Sequence, residues 1–147
     1  MPDRPGAPTD LALEINANSR WLHLVREFVN LLAQNLNLTQ EDALQLEMCV
    51  DEACANSINA VENFQADPEK CKVRIEAVIA NGSIHITIVD CGADFSDPFH
   101  RALPMTGLTD RTRKRGYGLQ IIKTLMDEVR YERDPAAVNR LHLIKFL

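Results

Sequence analysis

Glu52 and Asn56 stand four residues apart within Asp51-Glu52-Ala53-Cys54-Ala55-Asn56. On a helix, that spacing puts a carboxylate and a carboxamide on one face, a turn apart. The carboxylate could orient or deprotonate an attacking hydroxyl. The amide oxygen could ligate Mg2+ without adding charge. The plainer reading of the pair is the wetted face of an amphipathic helix. Two later segments answer it. Asp90-Cys91-Gly92-Ala93-Asp94-Phe95 follows a strand-like run. A carboxylate there accepts from an exocyclic amine such as that of adenine, and Gly92 lets backbone approach the ring; a simple Asp-x-Gly turn is the plainer alternative. Arg115-Gly116-Tyr117-Gly118-Leu119 opens a helix-like run, where free N–H groups and the dipole favour a phosphate. Lys114 and Arg115 add positive charge, and a flexible basic linker is the alternative. Each segment alone is weak. Together they describe a nucleotide site.

These groups need elements to hold them. Leu11 to Ile15 alternates as a first strand. Asn18 or Ser19 caps a helix running to about Asn35, with Trp21, Leu24, Val25, Phe28, Leu31 and Leu32 on its inner stripe. Thr39, with Asp42 three residues on, starts a second helix that ends near Asn63. Leu44, Leu46, Cys49, Val50, Ala53, Cys54 and Ile58 are its expected inner residues. Cys71 to Ala80 and Ser83 to Val89 flank Asn81-Gly82, a strong hairpin signal. Asp90 to about Arg115 reads as a long loop, a length that is usually functional or mobile. Gly118 to Met126 is apolar at helical spacing, and Glu128–Arg133 and Arg140–Phe146 read as two final strands. The order predicts an α+β fold: a two-layer α/β sandwich with helices on one face of a mostly antiparallel, mixed sheet.

The chain has 147 residues, the size of one domain, and can bury a core without disulfides or a structural metal. The expected division is a disordered lead-in at residues 1–9 and one domain at 10–147. A net charge of −5 argues against direct nucleic-acid binding. No apolar run reaches the ~20 residues of a membrane span, and the Pro-rich start has no signal-peptide core. The cysteines (Cys49, Cys54, Cys71, Cys91) form no C-x-x-C pair and read as thiols in a reducing cytoplasm. Cys91 differs from the others in lying within a proposed site loop.

The three segments in this order resemble the N, G1 and G2 boxes of the Bergerat-type ATPases, the superfamily that includes gyrase-like topoisomerases and sensor histidine kinases. The chain looks most like the bacterial anti-sigma-factor serine/threonine kinases, from about Leu11 to Phe146. The resemblance implies the Bergerat ATP-binding fold and an ATP- and Mg2+-dependent protein serine/threonine kinase. Such a kinase phosphorylates a small STAS-type anti-sigma-factor antagonist, sequesters a sigma factor or comparable regulator, and is often a homodimer. Carried over, Glu52 is the catalytic base and Asn56 the Mg2+ ligand. Asp90, with Gly92 beside it, accepts from adenine. Gly116 and Gly118 cradle phosphates within the Arg115–Leu119 motif, which includes Tyr117 and Leu119. Lys114 or Arg115 lies near the terminal phosphate, and Phe99–Arg113 is the lid. Partners would meet the exposed face of the first helices and the lid. The chain departs from the common pattern at Asp94, where a glycine is usual, at Ala60, where a histidine is frequent, and at Ala136-Ala137-Val138-Asn139, which lacks a glycine.

Two rival readings differ in class. One is a nucleotide-binding partner-switch module without kinase activity, against which an intact Glu52 argues. The other is a histidine-kinase catalytic domain, for which the chain before His23 is too short to supply a dimerisation segment.

Overall fold

Local signals set the element boundaries. The computed structural model describes residues 9–63, 67, 69–91, 110–133 and 138–147, with only the backbone described for 63 and 110–117. β1 (Leu11–Asn16) leads into a single 3-10 turn at Ser19–Trp21. Asn18 caps that turn, its side chain accepting from the Arg20 N–H at 3.0 Å. α1 (Leu22–Asn35) follows. α2 (Gln40–Asn63) starts where Thr39 Oγ1 accepts from the Asp42 N–H at 3.1 Å, satisfying one orphan donor of the first turn. β2 (Lys72–Ala80) and β3 (Ser83–Asp90) are joined at Asn81-Gly82. Both turn residues take positive φ, 53° and 73°, as a tight twisted hairpin demands. α3 (Asp110–Leu125), β4 (Glu128–Arg133) and β5 (Asn139–Phe146) complete the fold.

The strands form one sheet in the order β1-β2-β3-β5-β4. Every pairing is antiparallel, so the sheet is not mixed as the sequence reading allowed. Ile84, Ile86 and Ile88 alternate along β3 and point into the core with Ile75, Ile122 and Leu143. Val25, Val29 and Leu32 of α1 and Leu46, Val50, Cys54 and Ile58 of α2 cover them. The result is a two-layer α/β sandwich. Among the described residues, no helix is long and apolar enough to cross a membrane.

Three residues expected inside lie outside. Leu24, Leu31 and Leu44 are 47%, 62% and 56% exposed. Val25 and Leu32 of the expected α1 stripe are buried and Trp21 and Phe28 pack against the core, but Val29 and Ala33 complete the stripe in place of Leu24 and Leu31. An apolar-rich helix does not fix the phase of its own stripe; the neighbouring surfaces choose it. Lys145 is the reverse case, a charged residue that is buried. Its ammonium donates to Gln45 Oε1 at 3.0 Å and pairs with Asp42 Oδ1 at 3.4 Å, tying β5 to the start of α2.

Candidate functional site

The site lies where α2, the end of β3, the start of β5 and α3 converge. α2 carries Glu52 and Asn56, both half-buried. Gly118 of α3 is buried against Glu52. A Cβ added at Gly118 would stand 1.9 Å from Glu52 Oε1, 2.3 Å from its Cδ and 2.5 Å from its Cγ. The carboxylate therefore occupies the space a side chain at 118 would need, and glycine is required by close approach.

Asp90 ends β3, and both of its carboxylate oxygens are held. Ser57, one residue past Asn56 on α2, donates to Oδ2 at 2.8 Å. Asn139, paired with Asp90 in the β3–β5 register, donates from Nδ2 to Oδ1 at 3.0 Å. An ionised carboxylate has about four acceptor positions, and these two bonds fix its orientation at the end of β3. Asn139 is 2% exposed, and its own Oδ1 has no hydrogen-bond partner among the described residues. A buried acceptor without a donor calls for an explanation, and a bound group supplying N–H donors would satisfy it. Sequence reasoning missed both Ser57 and Asn139. The only signal was the departure at residues 136–139, noted as a missing glycine.

The other expected residues fall unevenly. Leu119 packs on the core from α3. Lys114, Arg115, Gly116 and Tyr117 lie on the helical backbone of α3, with their side chains outside the described residues. Gly92, and the expected lid up to residue 109, also lie outside them. One boundary differs from expectation. Gly116 and Gly118 were expected to open a helix, yet α3 begins at Asp110 and both glycines sit within it. Interior amides donate to carbonyls four residues back, so in this structure the motif is not a set of free helix-terminal donors.

The residues fit a nucleotide with a hard cation. Asp90 and Asn139 offer acceptors suited to an amino-purine edge, and Glu52 and Asn56 offer oxygens. Among the described residues, no group of three or more His, Cys, Asp or Glu could hold a metal on its own. A magnesium ion at Asn56 would therefore take most of its ligands from phosphate and water, as that ion usually does.

Asp51, which opens the motif, lies against α1. Its Oδ1 faces Arg26 of α1 at 3.5 Å, too long for a good hydrogen bond. Burial raises its pKa above the ordinary 3.8, and Arg26 only partly offsets this. A raised carboxyl stabilises the fold at low pH, and that contribution is lost as pH rises through the raised value. Asp51→Asn should therefore raise the thermal midpoint at neutral pH, and the gain should vanish below the ordinary aspartate range. Melting curves across that pH window check both signs. The neighbouring thiols are inert: burial pushes Cys49 up to about 12, Lys145 opposing and Glu52 adding to it.

The sequence pattern of the histidine kinase-like ATPase domain matches residues 15–145. The anti-sigma F factor of Halalkalibacterium halodurans is 27% identical over 94% of this chain and 92% of its own. The serine-protein kinase RsbW of Bacillus velezensis is 27% identical over 83% of this chain and 77% of its own. Among solved structures, the SiaB–SiaC complex from Pseudomonas aeruginosa matches with a TM-score of 0.70 at 12% identity, covering 92% of this chain and 89% of that one. That likeness bears on fold alone. With a match running from the end of β1 through all three helices into β5, the chain belongs to the histidine kinase-like ATPase domain family.

Proposed function

We propose that this chain is an ATP- and Mg2+-dependent protein serine/threonine kinase of the anti-sigma type. It acts in the cytoplasm as a homodimer, phosphorylates a STAS-type antagonist and sequesters a sigma factor. One observation carries the reading: the Glu52 carboxylate is lodged against Gly118, with Asn56 one turn along the same helix and Asp90 clamped beside it by Ser57. A base, a cation ligand and an acceptor for the adenine amine thus share one surface. The names of the curated relatives support the same activity.

Glu52 takes the proton of the acceptor hydroxyl as the terminal phosphoryl group is transferred. Asn56 Oδ1 would hold the magnesium ion, which when bound would supply charge neutralisation for the transferring phosphoryl group. Asp90 and Asn139 read the adenine edge, and Lys114 or Arg115 stands near the terminal phosphate. The apolar side chains left exposed, Leu24 and Leu31 on α1 and Leu44 and Met48 on α2, supply the surface on which partner proteins dock.

Asn139→Ala removes one clamp on Asp90 and the buried acceptor with it. Mg-ATP affinity should fall about tenfold, the size of one lost hydrogen bond to a charged group, and calorimetry reads it. The function itself is tested with γ-labelled ATP, magnesium and purified STAS-type antagonists. Label on a serine or threonine of an antagonist, abolished by chelation, supports the proposal. Bound ATP with no transfer to any antagonist would leave a nucleotide-binding partner-switch module instead.

A further inference from the structure

His85 of β3 and His142 of β5 lie on the side of the sheet turned away from the core, yet they are only 5% and 7% exposed. The register pairs His85 with Ile144 and His142 with Thr87, so the two rings are diagonal neighbours across the ladder. His85 Nε2 stands 2.9 Å from His142 Nδ1, with ring centroids 5.1 Å apart in an edge arrangement. Thr87 Oγ1 is 3.3 Å from the same Nδ1. On the far side of the His142 ring, Nε2 lies 3.2 Å from the exposed Glu132 carboxylate, within ion-pair reach but not aligned as a hydrogen bond. Other charged groups share this face around the pair. Arg74 and Glu76 of β2 meet each other at 2.8 Å, Arg140 follows on β5, and β4 adds Glu128 and Arg130, the latter opposite His142 in the register.

A gap of 2.9 Å between two ring nitrogens is a single hydrogen bond, in which one nitrogen donates and the other accepts. Two neutral rings meet that condition, and so does one imidazolium against one neutral ring. Two imidazolium rings do not, because every ring nitrogen is then a donor and two N–H groups confront each other. Burial withholds solvent from both charges, Glu132 offsets only one of them, and Arg130 opposes both.

We propose that this pair is an acid-sensitive latch between β3 and β5, which accepts one proton over its two rings and opens when a second enters. The titration belongs to the pair as a unit. In the unfolded chain each ring titrates separately at about pH 6.5. Below that pH the unfolded chain holds two protons where the folded pair holds one, so the latch's contribution is present above the ordinary histidine range and lost as pH falls through it. One proton of difference changes the folding equilibrium by about tenfold per pH unit at the acid limit. The same two strands carry Asp90 and Asn139 at the end of their ladder. On the nucleotide reading of those residues, on which this consequence alone rests, opening the latch loosens the clamp on Asp90 and lowers Mg-ATP affinity.

Urea unfolding of the full chain from about pH 7 to about pH 5 reads the latch. The wild type should lose about tenfold more of its folding equilibrium than His85→Gln/His142→Asn, whose amides can keep a hydrogen bond there and do not titrate. His85→Gln alone, which leaves a single ring, should lose the same excess. Slopes are compared, so a variant that is weaker at neutral pH still reports. Equal pH dependence in all three proteins would overturn the proposal. Nitrogen-resolved NMR of the imidazoles gives a second reading, with the exposed His23 as reference ring. The folded wild type should gain one proton over the pair; two imidazolium rings in a chain that is still folded would overturn the latch. Mg-ATP titration at both pH values separates the claims. If the wild type binds no ATP at neutral pH, the nucleotide reading fails and the latch still stands. If wild type and double variant lose affinity equally on acidification, the reach of the latch to Asp90 is overturned.

Discussion

Glu52→Gln should lower the phosphotransfer rate by about 10²–10⁴-fold, the usual contribution of a positioned general base. That is about 3–5 kcal/mol of transition-state stabilisation. Glutamine keeps the shape that fits against Gly118 and removes only basicity, so Mg-ATP affinity should stay nearly unchanged. A fall in rate with steady affinity marks an interaction made in the transition state. Equal rates for wild type and variant would remove Glu52 from the chemistry. Parallel losses of affinity and rate would make it a ground-state contact.

Gly118→Ala should cause a loss of about 10²-fold without touching the carboxylate chemically. The new Cβ would overlap the end of the Glu52 side chain, which is flexible, so Glu52 must swing away while the helices stay in place. Misplacing a reacting group by about 1 Å costs on that order. The fold should hold, since alanine favours a helix over glycine by about 1 kcal/mol. The double variant Glu52→Gln/Gly118→Ala should be hardly worse than either single one, because both remove the same positioned base. Stopped single-turnover assays, with circular dichroism to verify folding, measure all three. Additive losses would mean that Gly118 acts through something other than Glu52.

The features legible in the sequence were local ones. The Thr39 cap, the Asn81-Gly82 hairpin and the alternation along β2 and β3 each rest on residues within a turn or two of one another. Local patterns of this kind placed all five strands and α2 within a residue or so of their observed bounds. Glu52 and Asn56 were legible for the same reason, since a four-residue spacing has meaning on a helix. Gly116 and Gly118 misled the reading of α3. Glycine usually punctuates helices, but here packing against α2 demands it inside one, and only the fold reveals that demand. The clamp on Asp90 was invisible because Ser57 and Asn139 lie 33 and 49 residues away in sequence. Burial of Lys145 beside Asp42 and Gln45 was hidden likewise. His85 and His142 are a further case. They sit on adjacent strands, opposite the core-facing isoleucines, with ring nitrogens 2.9 Å apart. Cross-strand pairs of this kind follow from register, which no local pattern encodes.

The most direct test of the nucleotide site is a calorimetric titration of Mg-ATP into the wild type and Asn56→Ala. Wild type should bind one nucleotide per chain, and only with magnesium present. Asn56→Ala should weaken binding by at least about tenfold, because the cation then loses its protein ligand. Equal binding by both proteins would put the nucleotide somewhere other than the α2–β3–α3 surface. No binding by the wild type would mean that this chain keeps the fold of its family without the ligand, and acts through protein surfaces alone.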